Sequence, residues 1–217
     1  MELRHRPRRG EGLEPALRAA ARAVAQFHQL DIAAPPRPFA ADVARLREAE
    51  ASLTADRPEL SADVAAIVAS VIEGLEDAPV GLIHGDLKPE HLLIDGERVT
   101  LIDFDLAGLA DPVADIAHLL AFLGRAEERS RAADTQTAQV FLDEYFRNAP
   151  ESWRPRLALY HAMSSIHKAV GLSRRRGAAG RDAVTAIVGE GTALLSGAST
   201  DALPPTFKRR MTRATTR

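Results

Sequence analysis

The sequence predicts an α+β fold, mainly helical, with one small β-hairpin near its middle. Three observations carry that reading. Apolar residues recur at helical spacing through the first 75 positions, three short apolar runs joined by turn chemistry lie between 80 and 102, and helical periodicity resumes after Asp111. At 217 residues with 46% hydrophobic content, the chain can bury a sizeable core.

Taken in order, Leu13, Leu17, Ala20, Val24 and Phe27 mark an amphipathic helix from Leu13 to Leu30, which the three prolines between Asp31 and Pro38 bring to an end. A second helix is expected from Asp42 to Leu53 on Val43, Leu46 and Leu53. The third is expected from Ser61 to Leu75, where Val64, Ile67, Val68, Val71, Ile72 and Leu75 form a broad apolar face and Ser61 is suited to cap it. The texture then changes. Val80–His84 reads as a short buried strand, and Leu92–Ile94 and Val99–Ile102 read as a hairpin turning through Asp95-Gly96, residues that tolerate positive φ. Asp111-Pro112 opens the next helix by capping chemistry, and Gly124 is expected to close it. Three more helices fit Ala138–Phe146, Trp153–Leu172 and Ala183–Leu195. The division follows: residues 1–12 a flexible basic segment, 13–198 the folded domain, and 199–217 a basic, proline-containing tail expected to be disordered.

Charge and composition exclude several classes. A formal net charge of −2 gives no whole-molecule field favouring nucleic acid or a membrane surface. Lys208-Arg209-Arg210 lacks the interleaved aromatics of a nucleic-acid contact and reads as a solvated tail. Cysteine is absent, so disulfides and thiolate metal sites are excluded. No apolar stretch follows the early arginines, and the longest apolar run, Val113–Leu123, is interrupted by Asp115 and His118 and falls far short of a span of ~20 residues. A soluble, cytoplasmic protein is expected.

The chemistry concentrates in His84-Gly85-Asp86-Leu87-Lys88-Pro89-Glu90-His91 and in Asp103 within Leu101-Ile102-Asp103-Phe104-Asp105. Phosphoryl transfer needs an acceptor oxygen held in line and the phosphate charge neutralised, largely by magnesium on hard oxygen ligands. Asp103 at a strand end suits a metal ligand, and Asp86 on a separate loop suits the group that orients a hydroxyl and accepts its proton. His91 has two readings, a ring nitrogen for the metal or a packed, hydrogen-bonded histidine. Lys88 likewise reads as a point charge beside a phosphate or as a solvated loop charge. His84 is read as structural, holding the loop through its ring nitrogens, and Asp105 as a cap or a solvent-facing residue. His118, His161 and His167 show no metal-site spacing and are read as helix-face residues. Asp143-Glu144 is read as a solvated helix face in preference to a surface for a cationic substrate.

These motifs resemble the aminoglycoside phosphotransferase and choline kinase-like family, whose fold is that of the protein kinases. His84-Gly85-Asp86 resembles its His-Gly-Asp loop, which implies that Asp86 is the catalytic aspartate. Asp103 is similar to its metal-binding aspartate. Asp111-Pro112 with Asp115-Ile116-Ala117 resembles its Asp-Pro-x-x-Asp-Leu-Ala stretch, whose second aspartate, here Asp115, supports the catalytic loop from a helix start. Ala21–Leu30, with Phe27-His28, resembles the family's helix before the catalytic lobe proper. The resemblance runs from Leu17 to Leu123 and implies an ATP-dependent kinase acting on a hydroxyl of a small molecule, with Mg2+ as the metal.

Two departures from the family pattern stand out. His91 takes the place of the usual asparagine, a variant resembling the macrolide phosphotransferase-like branch, and its softer nitrogen shifts the preference toward Mn2+. The family's β-rich N-terminal nucleotide lobe, with its glycine-containing loop and lysine, has no counterpart here: Lys88 is the first lysine of the chain. An arginine's planar fork does not replace that lysine. The sequence thus predicts a C-terminal-lobe-like domain, with a partner role for a separate nucleotide-lobe chain or for self-association through the uncovered face. The alternative function is a catalytically incomplete remnant or binding module.

Overall fold

The computed structural model describes residues 13–123 and 131–196. The expected flexible segment 1–12, the disordered tail 199–217 and the helix stop at Gly124 lie outside these residues. The architecture is mostly helical, as predicted, with two small antiparallel sheets where one hairpin was expected. The chain divides into two compact units, one running up to Arg37 and again over Pro79–Arg154, the other over Pro38–Ala78 and from Pro155 onward.

The first unit carries both predicted loops. Helix α1 (Leu13–His28) buries Leu17, Ala20, Ala21, Val24 and Ala25. Its small side chains allow close approach to α5 (Arg131–Asn148), against which it packs. Strands β2 (Leu92–Asp95) and β3 (Arg98–Leu101) form the expected hairpin. Asp95 pairs with Arg98, so the two loop residues are Gly96 and Glu97, one position later than Asp95-Gly96. Gly96 takes φ +59°, the left-handed conformation that such a tight loop requires at its first position.

Strand β1 (Gly81–Ile83) pairs antiparallel with β4 (Gly108–Ala110), which the sequence did not announce. Pro35–Arg37 extends beside β4 as well: the Leu109 amide donates to the Pro35 carbonyl at 2.8 Å, and the Arg37 amide to the Leu109 carbonyl at 2.9 Å. Helix α4 (Val113–Leu123) begins as its cap predicts. Asp111 Oδ1 accepts the Val113 amide at 3.1 Å and its carbonyl accepts the Ala114 amide at 3.0 Å. The core of this unit joins Leu82, Ile83, Leu87, Leu92 and Ile94 to Ile116 and Leu119 of α4 and to Phe141, Leu142 and Tyr145 of α5.

The second unit consists of α2 (Phe39–Asp56), α3 (Ser61–Leu75), α6 (Arg156–Arg176) and α7 (Arg181–Ser196). All four run at or beyond their predicted lengths, except that α6 starts at Arg156, because a 3-10 turn occupies Glu151–Trp153. Another turn, Pro58–Leu60, precedes α3, so Ser61 is already helical and its side chain does not cap; Leu60 holds that place. Val64, Ile67, Val68, Val71 and Leu75 are buried along α3, each contributing roughly 1.5–3 kcal/mol as an upper estimate. Arg57 is buried at the entry, where its guanidinium donates to Glu59, to the Arg181 carbonyl and to Thr185 Oγ1.

Candidate active site

The loop His84–His91 leaves β1 through Gly85, whose φ of +82° demands glycine. A Cβ there would lie 2.1 Å from the Leu106 carbonyl oxygen and 2.3 Å from Arg37 Nη1. Two backbone amides of this loop point at one carboxylate: Asp115 Oδ2 accepts from His84 N at 2.6 Å and Oδ1 from Gly85 N at 2.9 Å. Asp115 is itself buried, and His28 Nε2 stands 3.2 Å from its Oδ2 while His28 Nδ1 meets the Tyr145 hydroxyl at 2.8 Å. A buried chain of polar groups, each partnered, thus fixes the loop's entry.

The second loop follows β3. Asp103 adopts φ +68°, the one left-handed non-glycine residue among those described, and aspartate tolerates this better than most residues. His84 ties the two loops together. Its Nε2 lies 2.8 Å from the Ile102 carbonyl, which can only accept, so this nitrogen carries the proton. The ring stacks on His91 with centroids 5.3 Å apart and contacts Phe104 at 5.0 Å, which in turn meets Phe27 at 5.6 Å. Arg37 adds a second tie: its Nη1 donates to the Leu106 carbonyl at 2.7 Å beside Gly85.

The predicted site residues fall into two close pairs. Asp86 Oδ2 accepts Lys88 Nζ at 2.7 Å, so Lys88 is neither a free loop charge nor, in this arrangement, unengaged. This contact holds the Asp86 carboxyl below its ordinary value, with burial opposing and His118 adding to it, and raises the Lys88 ammonium. Lys88 also feels the charges of Glu90 and Asp103. His91 Nε2 faces Asp103 Oδ2 at 3.2 Å; His91 is buried, whereas the Asp103 side chain is half exposed. The ring Nδ1 atoms of His84 and His91 are buried without a hydrogen-bond partner among the described residues. Asp105 faces solvent.

The pairing of His91 with Asp103 brings one imidazole nitrogen and one carboxylate to a common point, a donor set that fits a divalent cation whose other positions go to phosphate oxygens and water. Among the described residues no group of three or more His, Cys, Asp or Glu that could hold a metal ion is present.

Two sequence readings are corrected. His118 is not only a helix-face residue, because its Nε2 sits 3.2 Å from Asp86 Oδ1. The signal was its position three residues after Asp115, on the same side of α4. Glu144 is not a solvated helix face: it is buried and paired with Arg18 at 3.0 Å, Arg22 at 3.2 Å and Arg147. Burial pushes its carboxyl up, but Arg22 and Arg18 outweigh this and leave it below its ordinary value. Arg37 and Tyr145 carried no sequence signal.

The profile of the phosphotransferase enzyme family matches residues 5–156. The chain belongs to this family. Among curated relatives, the LicA protein of Haemophilus influenzae is 29% identical over 85 residues, covering 39% of this chain and 29% of that protein. A choline/ethanolamine kinase family protein from Mesorhizobium loti shares the fold at TM-score 0.57 and 19% identity, over 89% of this chain and 64% of its own. An amicoumacin kinase, solved with AMP-PNP and Ca2+, does so at TM-score 0.58 and 15% identity, over 83% of this chain and 58% of its own. The fold of this family member is therefore protein kinase-like, and the chain spans less than two thirds of the length of these relatives. No helix among the described residues is long and apolar enough to cross a membrane.

Proposed function

We propose that this phosphotransferase is an ATP-dependent kinase for a hydroxyl group of a small molecule, with Asp86 as its catalytic carboxylate. The observation that carries the reading is the meeting of two loops through His84, which brings the Asp86–Lys88 pair and the His91–Asp103 pair to neighbouring positions. Membership of the phosphotransferase family supports the reaction class, and the AMP-PNP and Ca2+ of the amicoumacin kinase support a nucleotide with a divalent cation.

In this reading Asp86 orients the acceptor hydroxyl and takes its proton as the hydroxyl oxygen displaces ADP from the γ-phosphorus. Lys88 places a point charge beside the transferring phosphoryl group. His91 and Asp103 would hold Mg2+, or Mn2+ in view of the imidazole, and that ion would neutralise charge on the phosphate oxygens. His84 and Asp115 hold the loops in place for these roles. Residues 13–198 form the phosphotransferase domain, and the cytoplasm, where ATP is at hand, is its setting. Nucleotide and acceptor are its partners, and the exposed faces of Phe104 and Leu106 offer apolar surface to whatever packs over this loop.

The test is ADP formation by the full chain with ATP and Mg2+ or Mn2+ against a panel of aminoglycosides, macrolides and choline-like amines. An acceptor that gains a phosphoryl group, seen by mass spectrometry, is the expected result. Nucleotide binding with no phosphorylated product across the panel would favour a binding module instead.

A further inference from the structure

Helix α4 presents two side chains to the first loop, and only one of them was legible as a support. Asp115 receives the backbone amides of His84 and Gly85. One turn later His118 reaches the next residue of the loop, not its backbone but the Asp86 carboxylate, with Nε2 3.2 Å from Oδ1. The three-residue step along α4 thus matches the step from the loop's anchored amides to its carboxylate, and both contacts come from one rigid element.

What aims a carboxylate is the set of donors on its two oxygens. Oδ2 of Asp86 is held by Lys88 Nζ at 2.7 Å. Lys88 is a poor permanent anchor, because its ammonium rides on a flexible four-carbon stem and is drawn toward any phosphate that arrives beside it. His118 has a short side chain on a helix whose start is capped, and its ring can go on donating to Oδ1 when Lys88 turns away. A carboxylate only accepts, so in this pair Nε2 carries the proton.

We propose that His118 is a positioning residue that keeps Asp86 aimed at the acceptor hydroxyl while Lys88 is engaged by phosphate. This inference rests on the phosphotransferase reading of Asp86. In this role His118 acts through Asp86. Its side chain is 43% exposed, and the urea midpoint of each variant checks that the fold is kept. Gln keeps a terminal N–H donor of similar reach, whereas Leu keeps bulk and removes the donor.

The test compares H118L, H118Q, D86N and the double variant H118L/D86N in the full chain, with acceptor-dependent ADP formation and calorimetric ATP–Mn2+ binding as readouts. H118L is expected to lower kcat about 10–100-fold, the cost of a misaimed reacting group, while ATP–Mn2+ binding stays within about twofold of wild type. H118Q recovers most of the loss, and H118L adds nothing to D86N. A kcat for H118L within about twofold of wild type, with D86N inactive, overturns the inference and leaves the reading of Asp86 standing. H118Q as slow as H118L, or a further loss in the D86N background, also overturns it. D86N at the wild-type rate would remove the reading of Asp86 and this inference together.

Discussion

The Asp115 carboxylate receives the Gly85 amide at 2.9 Å across 30 positions of sequence, and with that contact a helix start dictates where a loop begins. The same carboxylate takes the His84 amide at 2.6 Å and stands against His28, so the donors around it depend on its charge. Charge-assisted hydrogen bonds to buried amides are among the stronger polar contacts in a protein.

Asp115→Asn keeps the shape and one acceptor oxygen but turns an amide group toward a donor. The expected cost is about 1–3 kcal/mol in urea unfolding, with Asp86-dependent turnover falling in parallel. A variant within about 0.5 kcal/mol of wild type would show that the loop is held by something else.

Glycine-to-alanine substitution at two left-handed positions separates conformation from contact. At Gly96, φ is +59° and nothing lies within 4 Å of an added Cβ, so the cost should be about 1–2 kcal/mol, that of the backbone conformation alone. At Gly85 the same conformational cost is joined by a Cβ 2.1 Å from the Leu106 carbonyl, so G85A should be clearly the more destabilising. Equal effects on thermal unfolding would contradict the close approach of the two loops.

The metal preference should follow residue 91. With ATP present, H91A is expected to weaken Mn2+ binding by about tenfold or more, read by electron paramagnetic resonance. H91N, offering an amide oxygen, should keep binding and shift the preference from Mn2+ toward Mg2+. Mn2+ affinity unchanged in H91A would remove His91 from the metal site.

Acid should destabilise the protein before its carboxylates titrate. Burial, with Lys168 adding to it, lowers the His161 imidazole to about 4 from its ordinary 6.5. The unfolded chain takes up this proton as pH falls through about 6.5, and the folded chain only near 4, so this group's contribution is full above 6.5 and is lost between 6.5 and 4. His167 is lowered as well, mainly by burial, and acts in the same sense. In H161F the loss of stability over that window, followed by urea midpoints, should become shallower; an unchanged profile would contradict the lowered His161 imidazole.

What the sequence disclosed was local. The limits of α3 were readable because six apolar residues at helical spacing had no competing signal, and the start of α4 because Asp111-Pro112 is capping chemistry within one turn. What it withheld depends on remote partners. Strand β4 is three residues long and exists only because β1 and Pro35–Arg37 flank it. Glu144 looks solvated beside Asp143 until α1 supplies Arg18 and Arg22 from 126 and 122 positions away. The misplaced turn at Gly96-Glu97 is a one-residue matter of register, which pairing decides and composition does not. In the candidate site, the motif residues could be named as candidates because they lie close together in sequence, and the structure sets Asp86 beside Lys88 and His91 beside Asp103. The contact of His118 with Asp86 had one signal, its place three residues after Asp115, which gains meaning only with α4 laid against the loop.

In the proposed reaction, Asp86 is the carboxylate on which phosphoryl transfer depends. Asp86→Asn, assayed in the full chain with ATP, Mn2+ and an acceptor that wild type phosphorylates, is predicted to lose turnover by about 100-fold or more while its ATP–Mn2+ affinity and unfolding midpoint stay close to wild type. Turnover by the variant at the wild-type rate would remove Asp86 from the reaction.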